Sequence, residues 1–315
     1  MSRPKPEHVV APVEDADSVI TVDAPHLAER RSNLWLDAWR DLYKRPLFYV
    51  AVAIVLIVST MAVFPGLFTD APPNNDCYLS NSNGPPEAGH PLGFTRQGCD
   101  VYARIVWGAR TSLLVGILTV LITAVIGIPM GAIAGYFGGK IDSVLSRIGD
   151  IFFSVPYFLA AVVVMTVLAD YRNVFIISLA IGGFSWAVLA RLLRAEILQV
   201  KNREYIAASR ALGRSKMSTL LAHALPNSLT PVIVTLTISL GAAIVAEATL
   251  SFLGIGLGPS TMSWGNDISQ AQTTIRTAPM ALVYPSIALT TTVLAFIILG
   301  ELVRDALDPK ARARR

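Results

Sequence analysis

Six stretches of mainly apolar residues, each about as long as a bilayer core is thick, leave this chain few folds to choose from. They fall at 47–68, 113–134, 151–168, 174–193, 229–252 and 283–302. About 20 apolar residues in helical form cross the hydrocarbon region. No water is available there to bond free N–H and C=O groups, so each stretch must be helical. Only 15% of the 315 residues are charged, against roughly a quarter in soluble domains, so much of the surface faces something other than water. The expected fold class is all-α: a polytopic membrane protein with six transmembrane helices.

An even number of spans puts both termini on one side. If that side is the cytoplasm, the inner segments carry 21 of the 26 Lys and Arg residues; the outer ones keep Arg96, Arg104, Arg110, Arg172 and Arg276. The positive-inside rule therefore places both termini in the cytoplasm. The net charge of +4 follows from this bias. Basic residues at inner helix ends face anionic lipid, and no nucleic-acid binding is implied. Residues 1–33 are polar and carry Pro4, Pro6, Pro12 and Pro25, as a disordered cytoplasmic tail would. The first apolar block starts too far in, and is too long, for a cleavable secretory signal. In 34–46, Trp35, Trp39 and Leu42 recur at helical spacing with charges between them. This predicts an interfacial amphipathic helix, aromatic face toward lipid, with Pro46 breaking it from the first span. Residues 303–315 form a second cytoplasmic tail.

Residues 69–112 form the longest outer loop, rich in Pro, Gly and Asn, and hold the chain's only cysteines, Cys77 and Cys99. An oxidising compartment favours a disulfide between them, which would stabilise the loop by about 3 kcal/mol on the chain-entropy argument. The alternative is two unpaired thiols.

The inner loop between the fourth and fifth spans, 198–227, is the most informative segment. Residues 203–212 favour helix, with Ala207, Ala208 and Ala211. Gly213 is placed to end that helix in a left-handed conformation. A second short helix over 216–224 is expected to stop at Pro226. The product is a helix–turn–helix at the membrane surface, with small residues that let a partner groove approach closely.

The run Glu204, Ala207-Ala208, Gly213, with Leu225-Pro226 following, is similar to the EAA loop of ABC-importer permeases. Further resemblance, to the C-type permease subunit of dipeptide and oligopeptide importers, extends over residues 35–312. It includes His90-Pro91-Leu92-Gly93, Gly108-Ala109-Arg110-Thr111-Ser112-Leu113, the segment 131–139, Asp150 to Pro156, the segment 247–254, Ser263-Trp264-Gly265 and Arg304 to Pro309. Phe94-Thr95-Arg96 and Cys99 depart from the family pattern, as does the insertion around 72–88. The resemblance implies an ABC type I importer permease-like fold, with 113–302 as a five-span core. It implies that Glu204, Ala207, Ala208, Arg210, Gly213 and Pro226 form the ATPase-coupling loop. The implied partners are a homologous second permease subunit, two ATP-binding subunits, an extracytoplasmic substrate-binding protein and membrane lipid. The implied place is the bacterial cytoplasmic membrane, and the implied cargo is di- or oligopeptide. Related permeases handle nickel chelates or glutathione, so another solute stays open.

The chain is not expected to be an enzyme. Gly138-Gly139-Lys140 is followed by Ile141, so no phosphate-binding P-loop forms. No metal-ligand motif and no serine-hydrolase elbow occur. No cofactor is expected on this chain; ATP and Mg²⁺ belong to the partner ATPase subunits. Within the spans, Glu247 is the one carboxylate that could line or gate the pathway. It could equally bond a neighbouring helix. A secondary transporter would need several such groups and an inverted repeat, which the sequence does not offer. Asp150 is expected to cap the third span, and Arg191 and Arg194 to snorkel at the inner end of the fourth. Gly127, Pro129, Gly131 and Gly135, with Gly182-Gly183, predict close helix packing and a kink.

Overall fold

The computed structural model describes residues 34–71, 74, 77–258 and 260–307. The expected tail over 1–33 and the end of the second tail, 308–315, lie outside the described residues, as do the side chain of Trp35 and most of 72–76. Among the described residues eleven α-helices carry the fold: α1 (Leu34–Leu42), α2 (Pro46–Val63), α3 (Val101–Phe137), α4 (Gly139–Ser154), α5 (Tyr157–Val167), α6 (Val174–Val200), α7 (Glu204–Ala211), α8 (Lys216–Thr219), α9 (Leu225–Phe252), α10 (Trp264–Ala271) and α11 (Met280–Leu307). Helices α2, α3, α6, α9 with its leading turns, and α11 are each long and apolar enough to cross a membrane.

Glycines fix how these helices pair. Along α3, Gly127 faces Trp186 and Leu189, Gly131 lies on Ala190, and Gly135 meets Arg194 and Ile197 of α6. The two helices therefore run parallel. A Cβ on Gly131 would sit 2.4 Å from the Ala190 carbonyl oxygen, which only a residue without a side chain permits. Gly182 of α6 returns the contact against the Thr119 backbone, while Gly183 has only its own helix's Leu179 nearby. Helix α9 runs antiparallel to both neighbours, with Gly116 of α3 beside Leu240 and Ile244, and Gly300 of α11 on Ile238. Small residues replace the hydrophobic drive that lipid cannot supply between helices.

Four expectations need correction. The third span is not one helix: α4 and α5 meet at Val155-Pro156 with a 75° bend. Proline removes a helical N–H and crowds the preceding turn, and α5 alone, at 11 residues, is too short to cross. The outer loop ends at Asp100 rather than 112. Asp100 caps α3, accepting from the N–H groups of Tyr102 (2.8 Å) and Ala103 (3.4 Å), so about three turns of α3 stand beyond the apolar span. Asp150 caps nothing; it lies inside α4 and accepts from Arg191 Nη2 at 2.7 Å. Pro226 does not stop a helix. A π-turn over Leu220–Ala224 joins α8 to α9 and leaves Pro226 in the first turn of α9, the wider turn relieving the proline ring.

The two described chain ends meet. Ala38 and Leu42 of α1 pack on Leu302, Ala306 and Leu307 of α11. Arg45 donates to Asp41 at 2.6 Å and Asp305 at 3.1 Å. Trp39 points away and stacks edge-on against Phe48, so Leu42 leaves the aromatic face it was expected to share.

Candidate functional site

Two regions concentrate polar chemistry, one at each end of the bundle. At the inner end, α7 is an eight-residue helix closed by a complete Schellman turn. The Gly213 N–H donates to the Arg210 carbonyl at 3.0 Å, and the Arg214 N–H to the Ser209 carbonyl at 3.3 Å. Gly213 sits at φ +82°, the left-handed region that glycine enters without cost. The chain then restarts at Ser215, whose hydroxyl accepts from the Ser218 N–H at 3.2 Å. Arg214 bridges the two short helices, donating to Ser218 Oγ and His223 Nε2, each at 2.9 Å. His223 Nε2 must accept here, because a guanidinium only donates.

Only two side chains of α7 face inward. Ile206 is buried with Ile197, Leu220, Ala224 and Val232, and Ser209 lies beside them. Glu204, Ala207, Ala208, Arg210 and Gly213 are all exposed, and so is Pro226 in the first turn of α9. Leu212 is 89% exposed, a large apolar side chain at a helix end. Beside it opens a cleft of about 540 Å³ lined by Tyr205, Ala208, Leu212 and His223 among others. Lys201, just before α7, donates to the Gly135 carbonyl at 2.9 Å. Thus the base of α7 is welded to the inner ends of α3, α6 and α9, while its outward face has no partner within the described residues.

Sequence reasoning missed the inner-face ion pairs. Arg194 donates to both carboxylate oxygens of Asp142, each at 2.6 Å. Arg191 bonds Asp150 and covers the Phe153 ring at 3.7 Å. Neither arginine snorkels freely; both fasten α6 to α4. The missing signal was the α4 helix itself, which places Asp142 and Asp150 two turns apart on one face.

At the outer end, Glu247 is wholly enclosed. Its Oε1 accepts from Ser251 Oγ at 2.9 Å and Ser263 Oγ at 2.8 Å. It therefore ties α9 to the start of α10 rather than opening onto a passage. Next to it, buried Arg104 of α3 donates through Nε to Asp267 Oδ1 of α10 at 2.7 Å, and through Nη2 to the same oxygen. Burial pushes the Asp267 carboxyl up from its ordinary value, and the Arg104 guanidinium opposes that rise. Trp264 donates from Nε1 to the Ile105 carbonyl at 2.9 Å. The outer loop is drawn onto this cluster by Asn74, which accepts from Arg104 at 2.8 Å, and by Gln97, which donates to Gln270 at 3.0 Å. The sulfurs of Cys77 and Cys99 are bonded to each other.

Comparison with known proteins adds the identity of this arrangement. Residues 127–313 match the family described as binding-protein-dependent transport system inner membrane component. Residues 33–86 match the N-terminal TM domain of oligopeptide transport permease C. The chain is 37% identical over 277 residues to the dipeptide transport system permease protein DppC of Bacillus subtilis (strain 168), covering 88% of this chain and 86% of that one. It is 34% identical over 292 residues to the oligopeptide transport system permease protein OppC of the same organism, covering 92% and 94%. It is 36% identical over 278 residues to the glutathione transport system permease protein GsiD of Escherichia coli O157:H7, covering 88% and 91%. Among solved structures, the inward-facing MetNI methionine ABC transporter is similar in fold, with a TM-score of 0.50 at 21% identity, covering 65% of this chain and 96% of that chain. This chain belongs to the family of inner membrane components of binding-protein-dependent transport systems.

Proposed function

We propose that this chain is a membrane-spanning permease subunit of an ATP-driven importer for short peptides, and that it takes its energy from partner ATPases through α7. The observation that carries the reading is the construction of α7: a rigid base, buried through Ile206, beneath an exposed face of Glu204, Ala207, Ala208 and Leu212. A helix anchored in that way passes a push on its outer face directly to α3, α6 and α9. It transmits motion only if the partner grips it differently in its two nucleotide states. The spans then rock between inward and outward openings as rigid bodies.

Peptide cargo is supported by the dipeptide, oligopeptide and glutathione permeases among the relatives. All three named solutes share amide backbone. The complex we infer contains a homologous second permease subunit, two ATP-binding subunits and an extracytoplasmic substrate-binding protein. ATP and Mg²⁺ are held by the ATP-binding subunits.

Co-purification and coupling test the reading together. Cysteine at 207 or 208 should crosslink to an ATP-binding subunit. Gly213→Pro, impossible at φ +82° because proline is held near −65°, should abolish uptake while ATP hydrolysis persists in the assembled complex. Normal uptake by Gly213→Pro, or crosslinks from 207 and 208 to lipid alone, would overturn the assignment.

A further inference from the structure

The bend between α4 and α5 opens a cavity of about 290 Å³ against α3, α6 and α9. Three features distinguish it from a groove that lipid fills. Non-helical backbone at membrane depth persists where it is packed in protein or lines a wet cavity, and Val155 and Pro156, the break itself, line this one. Second, hydroxyls from three different helices converge on it: Thr119 and Thr123 of α3, Ser185 of α6, and Thr235 and Ser239 of α9. Lipid contact asks for no such convergence. Third, Thr119 is 4% exposed, and its Oγ1 meets no hydrogen-bond partner among the described residues. A buried hydroxyl left in that state costs free energy unless something enters to bond it.

We propose that this chamber is the half of the peptide passage that the chain contributes. The proposal rests on the importer reading above and names the lining that recognises the cargo. Its wall carries no charged side chain. Ser185 and Thr235 donate their hydroxyl protons to their own helices, at the Ile181 and Pro231 carbonyls. Their oxygens remain free to accept from a passing amide N–H. Thr119 uses neither its donor nor its acceptor among the described residues, and its oxygen is enclosed in this state. Such a wall bonds the peptide backbone, which every short peptide has, and ignores side-chain charge, which differs among them. Phe152 packs on Phe184 at 5.6 Å and on Trp186 at 5.2 Å, and these rings separate the chamber from a second cavity lined by Asp150, Arg191 and Arg194. The order from outside to inside is thus neutral hydroxyls, an aromatic constriction, then charged pairs at the inner mouth.

Single-cysteine accessibility tests this in the assembled complex in proteoliposomes. Both native cysteines are consumed in the Cys77–Cys99 bond, so an introduced thiol is the only free one on this chain, and labelling is read on this subunit's band against the complex without the introduced cysteine. Ser239→Cys and Ser185→Cys should react with a charged, water-soluble methanethiosulfonate reagent in at least one nucleotide state. A transported dipeptide should slow that reaction severalfold. Val163→Cys, on the exposed face of α5, should react only with a membrane-soluble maleimide. Ser239→Trp, still co-purifying with its partner subunits, should cut dipeptide uptake at least tenfold. If Ser239→Cys and Ser185→Cys react only with the membrane-soluble reagent, the chamber belongs to lipid and the proposal is overturned. Full uptake by Ser239→Trp overturns it too. Either result leaves the importer reading standing wherever Gly213→Pro still uncouples, so the two failures are distinguishable.

Discussion

At the residue scale, two side-chain positions give sharp expectations. Gly213 has open space around its missing Cβ, so replacing it tests backbone conformation alone. Alanine at φ +82° costs about 1 kcal/mol, enough to reduce occupancy of the turn roughly fivefold where the turn is marginal. Asparagine tolerates that region better. Peptide uptake in proteoliposomes should therefore rank glycine, then asparagine, then alanine, with complex assembly unchanged; equal rates for all three would show that the left-handed turn is dispensable. Arg104 gives the second. Replacing it by methionine strands a buried Asp267 carboxylate, and removing one partner of a buried pair costs about 3–5 kcal/mol. Arg104→Met should lower the detergent unfolding temperature clearly, and the double variant Arg104→Met/Asp267→Leu should recover most of the loss. A double variant as unstable as the single one would mean that packing, not charge, sets the cost. The sequence made Gly213 legible because its turn is local. It could not make the Arg104–Asp267 pair legible, because the partners lie 163 residues apart.

At the element scale, apolar run length located the spans well, since bilayer thickness is a constraint each segment meets alone. It failed where a helix continues past lipid, or breaks within it. Helix α3 begins at Val101 because Asp100 caps it, yet Arg104 and Arg110 made that stretch read as loop. The bend at Pro156 hides inside a run that is apolar on both sides. Helix pairing, by contrast, was foreshadowed by Gly127, Gly131 and Gly135. The α3–α6 contact predicts a steep contrast between neighbouring glycine sites. Gly131→Ala must push the Ala190 backbone aside, and overpacking of that kind costs about 1–3 kcal/mol. Gly183→Ala meets nothing closer than Leu179 at 3.8 Å and should be silent. Thermal melts of the two purified variants decide it, and an equal loss at both sites would remove close packing as the reason for the glycine stripe.

At the scale of the whole molecule, the bundle is tied differently at its two ends. The inner end is joined by ion pairs that side chains can exchange: Arg45 with Asp41 and Asp305, Arg194 with Asp142, Arg191 with Asp150. Of these only Arg191–Asp150 is exposed on both sides and falls in the range of about 0–1 kcal/mol for a surface pair; Arg45 with Asp41 and the two-contact Arg194–Asp142 pair are partly buried. The outer end is held by a covalent bond, a buried ion pair and an enclosed carboxylate. The disulfide spans 22 residues, and closing a loop of that size stabilises it by about 3 kcal/mol. Reduction, or Cys77→Ser with Cys99→Ser, should therefore expose residues 77–99 to limited proteolysis from the outer side. The same treatment should leave crosslinking from position 207 to the ATP-binding subunit unchanged, because no described contact joins the outer loop to α7. If reduction weakened that inner crosslink as strongly as it loosened the loop, the two ends would be one mechanical unit. The division into two mechanically separate ends would then have to be abandoned.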